Sequence, residues 1–283
     1  HLQGLATMRE LCFVSLFPEY FEVMMHHSIL GRAVARGALN YRFVQIRDFS
    51  RDKHRRVDDA PYGGGPGLVM KAEPLILAIE EGRRLCGGGH VVLMSPHGQR
   101  FNQAQAHRLS ALSQPLILVC GHYEGIDERV RSYVDEEISI GDFVLTGGEL
   151  AAMVVGDAVS RLWSGVLGND ASSIDESFSD GWLEYPQYTR PETVRGARVP
   201  DVLLNGNHAQ IAQWRRCASI LRTQERRPDI FDDKRHELTH DERVWLGWEA
   251  PKKPQKRRKQ TQKKDIQSDG SANDKIDRSP HDE

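Results

Sequence analysis

Short apolar runs rich in Val, Ile, Leu and Phe recur through the first two thirds of the chain. They predict strands at CFVSLF (12 to 17), YRFVQIRDF (41 to 49), HVVLMSP (90 to 96), PLILVCG (115 to 121) and EISIGDFVL (137 to 145). Between them the apolar positions follow a helical period. PEYFEVMMHHSILGRAVARG has Pro18 at a helix start, and AEPLILAIEEGRRLCGGG is ended by glycines. Shorter helices fit NQAQAHRLSAL and GIDERVRSYV. Strands alternating with helices imply an α/β domain with a largely parallel sheet.

Past Trp163 the pattern changes. Residues 162 to 201 are rich in Gly, Ser, Asp and Pro and carry no period, which marks a functional loop or linker. HAQIAQWRRCASILRTQERRPDIF and HDERVWLGWE then read as helices of a second, smaller domain at about 202 to 250. From Pro251 onward apolar residues nearly vanish, and 251 to 283 is expected to be a disordered tail. Eight Lys or Arg and no acid fall between Lys252 and Lys264. Such a tail raises non-specific affinity for nucleic acid, and it reads equally as a solvated appendage.

Composition narrows the class. With 28% charged and 39% hydrophobic residues, the chain reads as a soluble globular protein. No apolar run approaches the ~20 residues of a membrane span, and no secretory signal is visible, so a cytoplasmic location is expected. The segment before Met8 reads as native sequence or a cloning remnant. Cys12, Cys86, Cys120 and Cys217 lie far apart without C-x-x-C spacing, so neither a zinc site nor a disulfide framework is indicated.

Glycine clusters mark the candidate chemistry: YGGGPG (62 to 67), VCGHYEG (119 to 125) and LTGGE (145 to 149), two of them just after predicted strands. Ligands of α/β sheets sit beyond the carboxyl ends of strands, where bare backbone can approach them. Glycine also marks places where chain crosses chain at close range. No G-x-x-x-x-G-K-[ST] loop, strand-to-helix G-x-G-x-x-G or G-x-S-x-G elbow occurs. Backbone-lined loops with few cations suit an adenosine-bearing ligand better than a triphosphate.

Four long stretches, VDDAPYGGGPGLVM (57 to 70), LILVCGHYEGIDERV (116 to 130), DEEISIGDFVLTGGELAAM (135 to 153) and LLNGNHAQIAQWR (203 to 215), together resemble the bacterial tRNA (guanine-N1)-methyltransferase family, TrmD. VSLFPEYF, GRAV, RDF and YTRPE agree, and the similarity runs from about Leu11 to Trp248. The resemblance implies an α/β fold of the SPOUT class, with a trefoil knot near the strands at 90 to 145, flanking helices and a small C-terminal helical domain. Residues 8 to 161 would form the S-adenosylmethionine-binding knotted domain, 162 to 201 the interdomain loop and 202 to 250 the helical tRNA-binding domain. It also implies a homodimer with tRNA as partner rather than DNA or a membrane.

By match of motif, the resemblance assigns adenosyl contacts to Met94, Ser95 and Pro96, to Gly121, Tyr123 and Glu124, to Ile140, Gly141, Asp142, Phe143, Val144 and Leu145, and to Gly147 and Gly148. The implied reaction moves a methyl group to N1 of the guanine at tRNA position 37. That nitrogen is a poor nucleophile until a base removes its proton. The family's base is an aspartate before Ser-Phe in the interdomain loop. Ungapped alignment of VLGNDASSIDESF puts Glu176 there with Asp175 just before it, a departure that makes Glu176 the expected base and Asp175 its reserve. Arg161 corresponds to the family arginine near the target base, where it would face negative charge growing on O6. Asp157 lies one helical turn before it, and an ordinary ion pair would produce the same pattern.

The resemblance admits Mg2+ without a visible ligand motif. It gives Asp58 and the loop with Gly67 a role in shaping the pocket or binding tRNA. In the helical domain Arg215, Arg216, Arg222, Arg226 and Arg227 are candidate phosphate contacts, and Trp214 either packs or stacks. Two other readings stand beside the methyltransferase. One is a knotted RNA methyltransferase acting on a different base or a ribose; the other is an RNA-binding protein that kept the scaffold.

Overall fold

The structure is a computed structural model that describes residues 9–167, 177–178 and 180–251. Its contacts divide the chain into two compact units, His1–Glu237 and Leu238–Glu283.

The first unit is built on a five-stranded sheet of order β2-β1-β6-β5-β7. Its strands are β1 (Glu10–Ser15), β2 (Asn40–Gln45), β5 (His90–Arg100), β6 (Leu116–Cys120) and β7 (Glu136–Ser139). All four pairings are parallel, as the alternating pattern predicts. Parallel sheets are covered on both faces, so their strands are apolar on both sides. In β1 the side-chain alternation sends Leu11 and Phe13 to one core and Cys12 and Val14 to the other.

The Phe13 face is covered by α1 (Glu19–His26), α2 (Ser28–Ala35), α4 (Gln103–Ser110) and α5 (Glu149–Ser160), through residues such as Phe21, Leu30, Leu109 and Val155. Phe13 and Phe21 stack with ring centroids 4.1 Å apart. The opposite face receives α3 (Ala72–Cys86) through Leu75, Ala78 and Ile79. A two-stranded ladder, β3 (Asp58–Asp59) with β4 (Val69–Met70), closes off the loop that carries YGGGPG.

Several predicted elements end or break for identifiable reasons. The helix expected from Pro18 to Gly37 is interrupted at His27, whose backbone is extended, and at Ser28, with φ of 56°. The strand expected at 41 to 49 stops at Gln45, whose side chain accepts from Arg47 N and starts a 3-10 turn, Ile46–Phe49. GIDERVRSYV forms a 3-10 turn, Glu128–Tyr133, capped by the Asp127 side chain, rather than an α-helix. The strand expected at 137 to 145 ends at Ser139, where the Ser139 hydroxyl bonds to Gly141 and turns the chain away from the sheet. Strand β5 instead runs past its expected end, and Ile138 lies opposite both Met94 and Gln99. Ser95, Pro96, His97 and Gly98 therefore bulge out of the ladder.

Within residues 180 to 237, the region read as an irregular loop contains a hairpin of β8 (Thr193–Val194) and β9 (Ala197–Arg198). Arg195 and Gly196, both at positive φ, make its two-residue turn. Helix α6 (His208–Arg226) starts at Asn207, whose side chain accepts from Gln210 N. Thr223 and Ser219 of α6 bond to the backbone of Leu183, and α7 (Pro228–Lys234) packs Phe231 against Trp182. The second unit contains α8 (His240–Trp245), begun by a reciprocal bond pair between Thr239 and Glu242.

Candidate active site

The carboxyl ends of β5, β6 and β7 enclose a cavity of about 290 Å3. Its walls are the β5 bulge, the 121 to 126 turn after β6, and the loop from Ser139 to Gly148 that leads into α5. These segments also hold one another. Gly148 N donates to Gly121 O at 2.9 Å, His122 pairs with Gly147, and Phe101 N donates to Ser139 O at 2.8 Å. The end of YGGGPGLVM joins them, because Glu124 N donates to Leu68 O at 3.1 Å and Met70 N to Gly125 O at 3.0 Å. The VCGHYEG and LTGGE clusters, distant in sequence, thus meet around one space, and the YGGGPG loop abuts it where Gly67 faces Glu124.

Every adenosyl contact expected from the motif match lines this cavity except Asp142. Met94 is buried, Tyr123 is held at φ of 60°, and Gly121, Gly141, Gly147 and Gly148 present backbone. Asp142 points elsewhere, 3.9 Å from Arg100. Phe143 and Val144 are largely exposed. Leu93, Ile126 and Ile138 supply further apolar wall, and Arg131, His97 and His122 add polar side chains. Such a lining fits a purine ring and a ribose held by main-chain groups and apolar contact.

Gly147 and Gly148 have a reason independent of any ligand. A Cβ at Gly148 would lie 2.9 Å from Cys120 Cα and 3.1 Å from Gly121 N, and one at Gly147 would lie 2.2 Å from His122 Nε2. The bare backbone lets the start of α5 close against the end of β6. Gly148 itself has an ordinary φ of −78°, so space rather than conformation excludes a side chain there.

One constellation was invisible in the sequence. Glu149, 3% exposed, receives Ser15 Oγ at 2.7 Å on one carboxylate oxygen and faces His122 Nε2 at 2.7 Å with the other. Ser15 Oγ in turn accepts from Phe17 N at 2.9 Å. A buried carboxylate needs such partners, and these tie β1, the β6 turn and α5 together beneath the cavity. The partners lie too far apart in sequence to form a motif.

Arg161 follows the last turn of α5, with its backbone N donating to Asp157 O at 3.1 Å. The Asp157 carboxyl keeps an edge in solvent, yet crowding by neighbouring atoms pushes its pKa above the ordinary value, against the opposing pull of the Arg161 guanidinium. Glu176 and Asp175 lie outside the described residues. Among the described residues no group of His, Cys, Asp or Glu forms a metal site, and no helix is long and apolar enough to cross a membrane.

The candidate RNA-binding side chains of α6 are in several states. Arg216 pairs with Asp180 at 3.0 Å and lies 5.1 Å over the Trp182 ring, while Arg227 pairs with Asp229 at 2.6 Å. Arg222 donates to Glu184 O at 3.2 Å, Arg226 is exposed, and Arg215 lies 4.8 Å over the Tyr185 ring. Asp58 belongs to the β3–β4 ladder, and Gly67 abuts Glu124 so closely that a Cβ would meet the Glu124 side chain at 2.3 Å.

The model of the family described as tRNA (Guanine-1)-methyltransferase TrmD matches residues 9–233. The tRNA (guanine-N(1)-)-methyltransferase of Caldanaerobacter subterraneus subsp. tengcongensis is 56% identical over 233 residues, 82% of this chain and 95% of its own length. The protein of the same description from Halalkalibacterium halodurans is 52% identical, covering 83% of this chain and 95% of its own. The one from Bacillus subtilis is 49% identical, covering 84% and 98%. With the family's model matched across the whole sheet and its cavity, and with these relatives aligned over nearly their full lengths, the chain belongs to the tRNA (guanine-1)-methyltransferase TrmD family.

Proposed function

We propose that this protein is a tRNA (guanine-N1)-methyltransferase that takes its methyl group from S-adenosylmethionine and places it on N1 of guanine 37, beside the anticodon. The observation that carries the reading is the convergence of the VCGHYEG and LTGGE loops on one cavity, in a chain of this family. S-adenosylmethionine would lie there and supplies an electrophilic methyl on a sulfonium.

The residues of this chain divide the remaining work. Main-chain groups of Gly121, Gly141 and Gly147, with the apolar walls of Leu93, Ile138 and Leu145, orient the adenosyl part. Glu176, or Asp175 beside it, takes the proton from guanine N1, which makes that nitrogen nucleophilic. Arg161 at the end of α5 stabilises the negative charge that grows on O6.

The chain works as a homodimer, with Glu176 reaching the cavity of the second copy. Support comes from an exposed apolar surface on α1 and α5, including Tyr20, Val23, Leu150 and Val154, which a lone protomer leaves in water. Phe17 extends it to the His122 ring, 5.1 Å away at the cavity rim. The knotted threading of the family is consistent with the β5 bulge and with the return of residues 140 to 148 onto the end of β6. Residues 202 to 250 engage tRNA, and the protein acts in the cytoplasm.

Incubation with labelled S-adenosylmethionine and a tRNA transcript carrying guanine at positions 36 and 37 tests the assignment. Label is expected on that transcript and not on one with adenine at 37. Donor binding without label on either would favour an RNA-binding scaffold, and label that persists with adenine 37 would favour a different nucleotide.

A further inference from the structure

A second cavity, of about 840 Å3, lies between the Tyr185–Val199 stretch and α6. The donor site does not use it. Its walls combine aliphatic side chains of Val199, Leu203, Leu204 and Ile211 with aromatic and cationic groups: Tyr188, 49% exposed, has its ring centroid 6.4 Å from that of Trp214, and Arg215 covers the Tyr185 ring at 4.8 Å. Arg190 lies at the exposed edge, and Gln187 and Thr189 add donors and acceptors. The one carboxylate in the lining, Glu192, is already neutralised by Arg198 at 2.7 Å. Among the described residues neither Arg190 nor Arg215 has a carboxylate partner.

This set of groups has a specific chemical preference. A half-exposed tyrosine with a second ring beside it offers a flat stacking surface. Two unneutralised guanidiniums offer phosphate contacts, and side-chain amide and hydroxyl groups can meet a base edge. Unpaired RNA bases stack on aromatic rings and guanidinium planes in this way, while their phosphates seek arginine. A neutral or basic peptide would leave the guanidiniums without anions.

We propose that this cavity binds an unpaired nucleotide of the substrate RNA other than the one methylated, with its base stacked on Tyr188 and its phosphate met by Arg190 or Arg215. The inference rests on the reading of tRNA as substrate and extends it to a second point of contact. Trp214 is then both a packing residue and the support of a stacking ring.

The test compares wild type, Tyr188→Ala and Tyr188→Phe in filter binding to the tRNA transcript, with donor affinity, thermal unfolding and oligomeric mass measured alongside. Loss of the ring should weaken tRNA binding on the order of 10-fold, while Tyr188→Phe, which keeps the ring, should stay near wild type. Donor affinity, unfolding and mass should not change in either. Unchanged tRNA affinity in Tyr188→Ala would overturn the inference. A change of oligomeric mass would overturn it in favour of a second copy filling the cavity. A wild type that binds tRNA without methylating it would refute the enzyme reading alone, because the binding comparison still reports on the cavity.

Discussion

Replacing Gly148 by alanine tests whether the start of α5 is closed against β6 as tightly as the structure requires. The added methyl would meet Cys120 Cα at 2.9 Å, Gly121 N at 3.1 Å and Cys120 Cβ at 3.2 Å. Two of these three are backbone atoms at the end of β6, which the Gly148 N to Gly121 O bond of 2.9 Å ties to the helix start. Neither side can yield without moving the strand end or the helix. Overpacking of this kind costs about 1–3 kcal/mol, which for a domain of this size lowers the melting temperature by roughly 2–10 °C. Alanine in the same helix at Gly156 is the control. There the methyl would touch Leu11 and Phe13 side chains at 3.5 Å, ordinary contact, and removing a mid-helix glycine stabilises by about 0.5–1 kcal/mol. Thermal unfolding of the two variants should therefore shift in opposite directions. Calorimetric titration with S-adenosylmethionine should also show weakened binding for Gly148→Ala, because the helix start is a cavity wall. Gly148→Ala melting with wild type and binding the donor normally would refute the close approach.

Other outcomes follow from the same geometry. His122→Ala leaves buried Glu149 short of a partner and should cost about 1–3 kcal/mol in chemical denaturation, whereas Glu149→Gln should cost less because no charge remains. Hydrogen bonding from Arg56 holds the Asp52 carboxyl at about 2, below its ordinary 3.8. Its contribution to stability is present above 3.8 and lost as pH falls toward 2, so Asp52→Asn should flatten the acid limb of a stability-against-pH curve. The Cys86 thiol, lowered by its hydrogen bond with Cys12 and half-buried, should alkylate in native protein before Cys120, whose pKa burial pushes up; peptide mass mapping reads the order.

The parallel sheet was legible because its strands are apolar on both faces and are separated by helical periods, as in β1 and α3. Strand ends were less so. Where Ser139 and Gln45 stop their strands, a side chain captures a nearby backbone group, and apolar residues such as Phe143 and Val144 continue the pattern into a loop. The extension of β5 was hidden because its bulge carries Pro96 and Gly98, which read as a stop. The glycine clusters read from the sequence either as a ligand approach or as places where chain crosses chain at close range. Packing now accounts for Gly147 and Gly148 separately, since each meets the β6 turn at closest range. The link of Ser15, His122 and Glu149 spans three distant segments and left no local trace. The resemblance to the family named expected donor contacts where spacing alone offered only a crevice, and all of these but Asp142 line the cavity.

The most direct test of the account is nucleoside analysis of tRNA after reaction with S-adenosylmethionine and wild type, Glu176→Ala or Asp175→Ala protein. The account predicts 1-methylguanosine from position 37 with wild type, and a rate reduced on the order of 100-fold or more by loss of the base. A methylated ribose, a methyl on another guanine atom, or full rates in both variants would contradict it.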